Sequence, residues 1–320
     1  MITRVSLLGK TIDCHTHSGG INIAHYLLEA YPYCCTIPEL ISKMNSVNID
    51  ISVTFPLPNN QDLKEYPEVN RLSQNIIKYE PCIYYLANRR LLMESKMYGE
   101  ERVLPFVIFS LYGDYYRQIE HINNLKDEYD IYGIKIHTSC DHINVTRIIE
   151  EPILLDFFEE LSLPIMIHSG FEDYSNAYNM CEVFKKLRHI RFCVAHAGRM
   201  NKDFLEQLYY LENVWIDISS IPILHKSLIN KRNNSNVLPL DYTTPYEMIY
   251  YLIDKYPQKV LFGTDYPWVE CGYLKNHKSI HNGNDKYKES SNVLRSLEPN
   301  VQRLISNENI CDFLFGKFQV

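Results

Sequence analysis

Ile12-Asp13-Cys14-His15-Thr16-His17, followed at once by Ser18-Gly19-Gly20, is the stretch on which the reading of this chain turns. Its length and apolar start predict a strand, and in a regular strand successive side chains alternate between faces. Asp13, His15 and His17 are then expected on one face, with Cys14 and Thr16 on the other. Two imidazoles on one face can grip one metal ion. With 12 histidines in 320 residues, an H-x-H pair arises by chance too readily to carry weight alone. Its meaning depends on what the rest of the chain sets beside it.

Outward from that stretch, β-rich apolar runs recur: Thr11 to His17, Ile49 to Phe55, Val103 to Phe109, Tyr132 to Thr138, Pro164 to His168, Ile190 to His196, Val214 to Ser219 and Lys259 to Asp265. Continuous apolar runs suit strands buried on both faces, as parallel strands are. Between them lie stretches of helical length: Pro38 to Ser46, Val69 to Tyr79, Tyr115 to Tyr129, Pro152 to Leu161, Ala177 to Leu187, Lys202 to Tyr210 and Thr244 to Tyr256. Eight strand-helix units predict an α/β chain, a (β/α)8 TIM barrel forming one domain over residues 1–320. The connection from Pro56 to Arg102 is long for that fold and predicts an extra helical insertion after strand 2, with a helix over Pro81 to Tyr98. Asparagine-rich Ile229 to Val237 reads as a surface loop. Asn300 to Phe315 reads as a final amphipathic helix closing the barrel floor or wall.

Hydrophobic content of 46% and charged content of 22% are those of an ordered globular protein. A net charge of −7 leaves no basic footprint, so the expected partner is a small-molecule substrate and not a nucleic acid. No apolar run approaches the ~18 residues a membrane span needs, and the start has no signal-peptide pattern; no membrane partner and a cytoplasmic location are expected. A homo-oligomer is left open. Nine scattered cysteines without a C-x-x-C pair read as reduced, buried thiols.

In a barrel of this kind the strand C-termini converge on one face, where catalytic residues collect. His15 and His17 end strand 1, Lys135 and His137 strand 4, His168 strand 5, His196 strand 6 and Asp265 strand 8. His168 and His196 each precede small residues, Ser169-Gly170 and Ala197-Gly198, which let a ligand or loop come close. Each position also has a plainer reading: hydrogen-bonded core histidines, a turn cap at Asp265, a salt-bridged lysine at Lys135. Arg199 follows the strand 6 motif and offers a planar fork to a substrate carboxylate. Histidines 25, 121, 142, 189, 225, 277 and 281 fall in helices or loops and read as surface residues.

Taken in order, Asp13 to His17, Gly133-Ile134-Lys135-Ile136-His137, Pro164 to Gly170, Val194-Ala195-His196-Ala197-Gly198 and Phe262-Gly263-Thr264-Asp265-Tyr266-Pro267 resemble the amidohydrolase superfamily, in its amidohydrolase 2 branch. The likeness extends into Asn307 to Phe315 and so covers nearly the whole chain. It implies a metal-dependent TIM-barrel hydrolase with His15, His17, His168 and Asp265 as ligands of a divalent ion, zinc first. Asp265 and His196 would be catalytic: Asp265 alternates between ligand and general base, and His196 orients the water, polarises a carbonyl or joins the ligands of a second ion. In binuclear members a strand 4 lysine is carbamylated and bridges two ions. Lys135, His137 and Arg199 are thus candidates for a second metal or for substrate, and one ion is expected over two. The implied reaction is cleavage of an amide, ester or lactone bond by metal-activated water. The alternative is a metal-dependent non-oxidative decarboxylase of a small aromatic or unsaturated acid; a non-catalytic binding barrel is the third reading.

Overall fold

The computed structural model describes residues 2–18, 35–56, 82–99, 101–221, 224–225, 236–238, 244–267 and 286–317. Eight strands pair in parallel and in sequence order: Ile12–His17 (β1), Ile51–Phe55 (β2), Val103–Phe109 (β3), Gly133–Ile136 (β4), Ile165–Ile167 (β5), Phe192–Val194 (β6), Val214–Asp217 (β7) and Val260–Leu261 (β8). The last strand closes on the first. Cys14 N–H donates to Phe262 O at 2.9 Å, Asp265 N–H to His15 O at 2.8 Å and His17 N–H to Tyr266 O at 2.7 Å. Every residue of the eight strands is buried, which is why these runs carry no polar alternation.

The main helices between and after the strands are Ile37–Ser46 (α1), Tyr85–Tyr98 (α2), Tyr115–Glu128 (α3), Pro152–Glu159 (α4), Cys181–Lys186 (α5), Lys202–Leu208 (α6), Pro245–Lys255 (α7), Lys286–Arg295 (α8) and Asn309–Phe315 (α9). Local chemistry fixes their starts. Thr36 with Glu39, and Thr244 with Glu247, form reciprocal capping boxes, each followed by a proline in the first turn. The expected (β/α)8 barrel is therefore the fold. The helix expected over Pro81 to Tyr98 is present as α2, Tyr85–Tyr98, but the helix expected over Val69 to Tyr79 lies outside the described residues, so an extra helical insertion is not confirmed.

Two apolar layers hold the barrel together. Outside, Ile134, Ile136, Ile165, Ile167, Val194 and Ile216 meet the helices. Inside, Cys14, Phe106, Met166, Cys193, Trp215 and Leu261 pack with Ile310, Phe313 and Leu314 of α9, which forms the floor. The single helix expected over 300–315 is three pieces, Pro299–Arg303, a π-helical turn Leu304–Glu308 and α9. Asn307 Nδ2 donates to Leu7 O and Lys10 O, both at 2.6 Å, and Asn309 Nδ2 to Pro257 O and Val260 O, both at 2.8 Å, tying this segment to the approaches of β1 and β8.

Gly133 starts β4 opposite Phe106, and a Cβ there would lie 2.3 Å from the Phe106 ring. Gly133→Ala is expected to destabilise the fold by about 1–3 kcal/mol, because the ring must leave its rotamer in a packed layer. Urea unfolding checks this; a change within 0.5 kcal/mol, about the scatter of surface substitutions, would show that the layer yields freely.

β1 departs from the expected alternation. Asp13 pairs with Ser52, but Thr16 pairs with Thr54, so one extra residue sits on β1 as a bulge. Cys14 joins the inner layer and His15 and His17 still reach the site, whereas Asp13 is tied to Thr264, whose hydroxyl donates to Oδ2 at 2.7 Å. Burial pushes the Asp13 carboxyl up to about 7. It does not share the histidines' role.

Candidate active site

The strand ends bring His15, His17, Lys135, His137, His168, His196 and Asp265 to one end of the barrel. His196 gets there by an unusual route. From His196 to Arg199 the backbone is left-handed, with φ of 57°, 52°, 60° and 56°, and Met200 continues at 55°. Such geometry costs L-residues about 1–2 kcal/mol each, so neighbours must hold it. The His196 N–H donates to Asp217 Oδ1 at 2.9 Å, Arg199 Nε to Ser169 O at 2.8 Å and Ser169 Oγ to Ala195 O at 2.6 Å. Gly198 is required twice over, by its φ of +60° and because a Cβ would sit 2.5 Å from Phe204. This is the physical content of the His-Ala-Gly motif.

At the centre, His15 Nε2 and His17 Nε2 face the same carboxylate oxygen, Asp265 Oδ1, at 3.3 Å and 3.2 Å. His15, His196 and Asp265 each offer a ligand atom within 4.8 Å of the others. Burial drives the His17 pKa down to about 4 and that of His196 to about 3, so both rings are neutral at pH 7. His17 Nδ1 faces the Pro56 carbonyl at 3.4 Å and its Nε2 faces Asp265 Oδ1 at 3.2 Å, two acceptors between which the ring proton is shared by tautomer. For Asp265, burial acts upward, but the His15 charge and the hydrogen bonds from His15 and His17 outweigh it and hold the carboxyl well below its usual range. For His15, burial and Lys135 act downward, and Asp217 and Asp265 more than offset them. Were a cation to replace the Nε2 protons that these rings offer Asp265, two nitrogen lone pairs and a carboxylate oxygen would meet on it. Nitrogen lone pairs around a carboxylate fit a divalent ion of the zinc type.

The other expected residues surround this centre. His168 Nδ1 lies 3.2 Å from His196 Nε2, and the His168 ring stacks on His137, centroids 3.9 Å apart at 15°. His137 Nδ1 accepts from the Cys140 N–H at 3.1 Å. Burial lowers both of these imidazoles well below the usual histidine range. Lys135 is fully buried, its Nζ 4.5 Å above the Phe55 ring with no hydrogen-bond partner among the described residues, and burial brings its pKa down to about 8. Arg199 lies 5.7 Å from the Phe171 ring centroid. Tyr26, Tyr31, Tyr33 and Trp268, aromatic candidates for pocket walls, fall outside the described residues.

Two expectations need correction. His121 and His225, read as surface residues, are both 7% exposed; the His121 ring lies tilted against Tyr85, centroids 4.3 Å apart, which its helical position alone did not reveal. The larger omission is Asp217. It is fully buried at the end of β7 and holds His15 Nδ1 at 2.8 Å. A signal was present: Asp217-Ile218-Ser219 ends the apolar run that starts at Val214, on the same barrel face as the other strand-end polar residues.

The amidohydrolase family model matches residues 100–281, more than half of the chain. No curated protein matches. Among solved structures, a probable 2-pyrone-4,6-dicarboxylic acid hydrolase from Acinetobacter baumannii with citric acid bound is similar at a TM-score of 0.61 and 18% identity, covering 96% of this chain and 100% of that one. The 2,6-dihydroxybenzoate decarboxylase from Rhizobium aligns at 0.57 and 12% over 95% and 98% of the two chains. An amidohydrolase from Burkholderia multivorans with bound zinc aligns at 0.55 and 11% over 96% and 99%. These likenesses speak for the barrel, and the family match spans β3 to β8 with Lys135, His137, His168, His196, Asp217 and Asp265. The chain belongs to the amidohydrolase family, in its amidohydrolase 2 branch.

Proposed function

We propose that this chain is a hydrolase that uses one divalent ion, zinc first, to cleave an amide, ester or lactone bond in a small molecule. The observation that carries the reading is the pair of Nε2 atoms, of His15 and His17, set against Asp265 Oδ1. His15, His17, His168 and Asp265 would hold the ion. When bound, a divalent ion supplies Lewis acidity and lowers the pKa of water at the site. Asp265 Oδ1 takes the proton of the attacking water and returns it to the leaving group. His196 gives its Nδ1 proton towards Ser219, so its Nε2 is an acceptor; it orients the water and does not polarise the substrate carbonyl. Arg199 meets a substrate carboxylate at the exit of β6, with His137 beside it. Lys135 as a free ammonium repels a second cation, which favours one ion over two.

The decarboxylase reading draws on the Rhizobium neighbour, whose name gives that activity on 2,6-dihydroxybenzoate. It keeps the same ligands and differs in the bond broken. Elemental analysis of the purified chain, followed by zinc titration, tests both readings. About one ion per chain is expected, with turnover lost on chelation and restored by zinc. Turnover in ¹⁸O-water places the label in the organic product of hydrolysis, whereas release of CO2 with no label in the organic product selects the decarboxylase. A chain that holds no ion and takes up no zinc overturns both.

A further inference from the structure

Asp217 touches two of the clustered imidazole systems, and no step of the proposed reaction uses it. Its Oδ2 accepts from His15 Nδ1 at 2.8 Å. Its Oδ1 accepts from three donors: the His196 N–H at 2.9 Å, the Ser219 N–H at 3.0 Å and the Ser219 hydroxyl. Having given its proton to Asp217, Ser219 Oγ is left as the acceptor for His196 Nδ1, 2.9 Å away. The carbonyl of Ser219 faces the same nitrogen at 3.3 Å. Both imidazoles therefore donate from Nδ1 in the same direction, towards β7, which turns His15 Nε2 to Asp265 Oδ1 at 3.3 Å and His196 Nε2 to His168 Nδ1 at 3.2 Å.

We infer that Asp217 is a positioning residue that fixes the tautomer and aim of two imidazoles at once, directly for His15 and through Ser219 for His196. The inference rests on the metal-dependent reading and deepens it by naming the group that makes the nitrogen lone pairs available. A neutral imidazole left to itself populates both tautomers, and one with its proton on Nε2 cannot bind a cation there. One buried carboxylate removes that choice for both rings.

Asp217→Asn is the decisive variant. The amide oxygen keeps the three donors now on Oδ1, so the His196 turn stays anchored. The amide NH2 then faces His15 Nδ1 and donates to it, which forces the His15 proton onto Nε2. Zinc affinity is expected to fall about 10–100-fold by competition titration, as for other carboxylates behind metal-binding histidines. The ¹⁵N-histidine spectrum of the metal-free variant at about pH 8.5 should show His15 changed from the Nδ1–H to the Nε2–H form. Ser219→Ala leaves the His15 contact and the carbonyl for His196, so its loss should be smaller. Wild-type zinc affinity in Asp217→Asn, with His15 still Nδ1–H, overturns the inference. If that variant does not fold, the wild-type spectrum decides: either His15 or His196 in the Nε2–H form overturns it, and both as Nδ1–H support it. A wild-type chain that takes up no zinc overturns the metal reading itself, and with it the purpose assigned to Asp217.

Discussion

Asp265→Asn is expected to leave the barrel folded and to lower kcat/KM by about 10³-fold, the middle of the range for losing a positioned general base. The substitution is nearly isosteric, and the bond from the Asp265 N–H to His15 O, which helps close the barrel, belongs to the backbone. What disappears is the charge and one acceptor. The amide NH2 either turns to the nitrogens of His15 and His17, occupying the lone pairs that would hold a cation, or turns to Ser220, whose hydroxyl now donates to Oδ2. Both outcomes weaken the ion, and neither leaves a group able to take the proton of water. Zinc titration, steady-state kinetics and a thermal melt on the same preparation check the prediction together. Activity within tenfold of wild type would remove Asp265 from both of its proposed roles.

Phe313→Ala is expected to cost about 3–5 kcal/mol of stability, the largest structural effect foreseen for a single side chain here. Phe313 is fully buried in the floor, with ring centroids 6.3 Å from Phe106 and 6.0 Å from Trp215. Around it the strands are fixed by their ladder, so the space left by the ring cannot close by collapse. Urea unfolding measures the loss. Activity per folded molecule should stay near wild type, because the floor and the histidine cluster lie at different heights of the barrel. A loss below 1 kcal/mol would mean that α9 caps the barrel loosely.

The barrel was legible because parallel strands buried on both faces must read as unbroken apolar runs, and eight of them recur. The same uniformity made the histidines and Asp265 conspicuous, since a polar group at the end of such a run has few structural reasons to be there. Other features depend on partners remote in sequence. The bulge in β1 shows only once β2, beyond α1 in the chain, sets its register against it. Asp217 looked like the polar end of a strand, and only the folded chain sets it between His15 and the His196 turn. His121 looked exposed on a polar helix until Tyr85, from the preceding helix, covered it. Chain length after strand 2 implied extra helix, but length alone says nothing about the form the added residues take.

The inner layer described for the fold has a further consequence. Cys193 stands in register with Met166 on one side and Trp215 on the other, and its thiol approaches Asp217 at 3.9 Å. Cys14 lies in the same layer, so sulfur-bearing side chains separate the aromatic floor from the imidazoles. Thiols and thioethers are polarizable and tolerant of altered neighbours. A layer of this kind is suited to take up small movements of the floor before these reach the imidazoles, as a gasket does between two rigid parts.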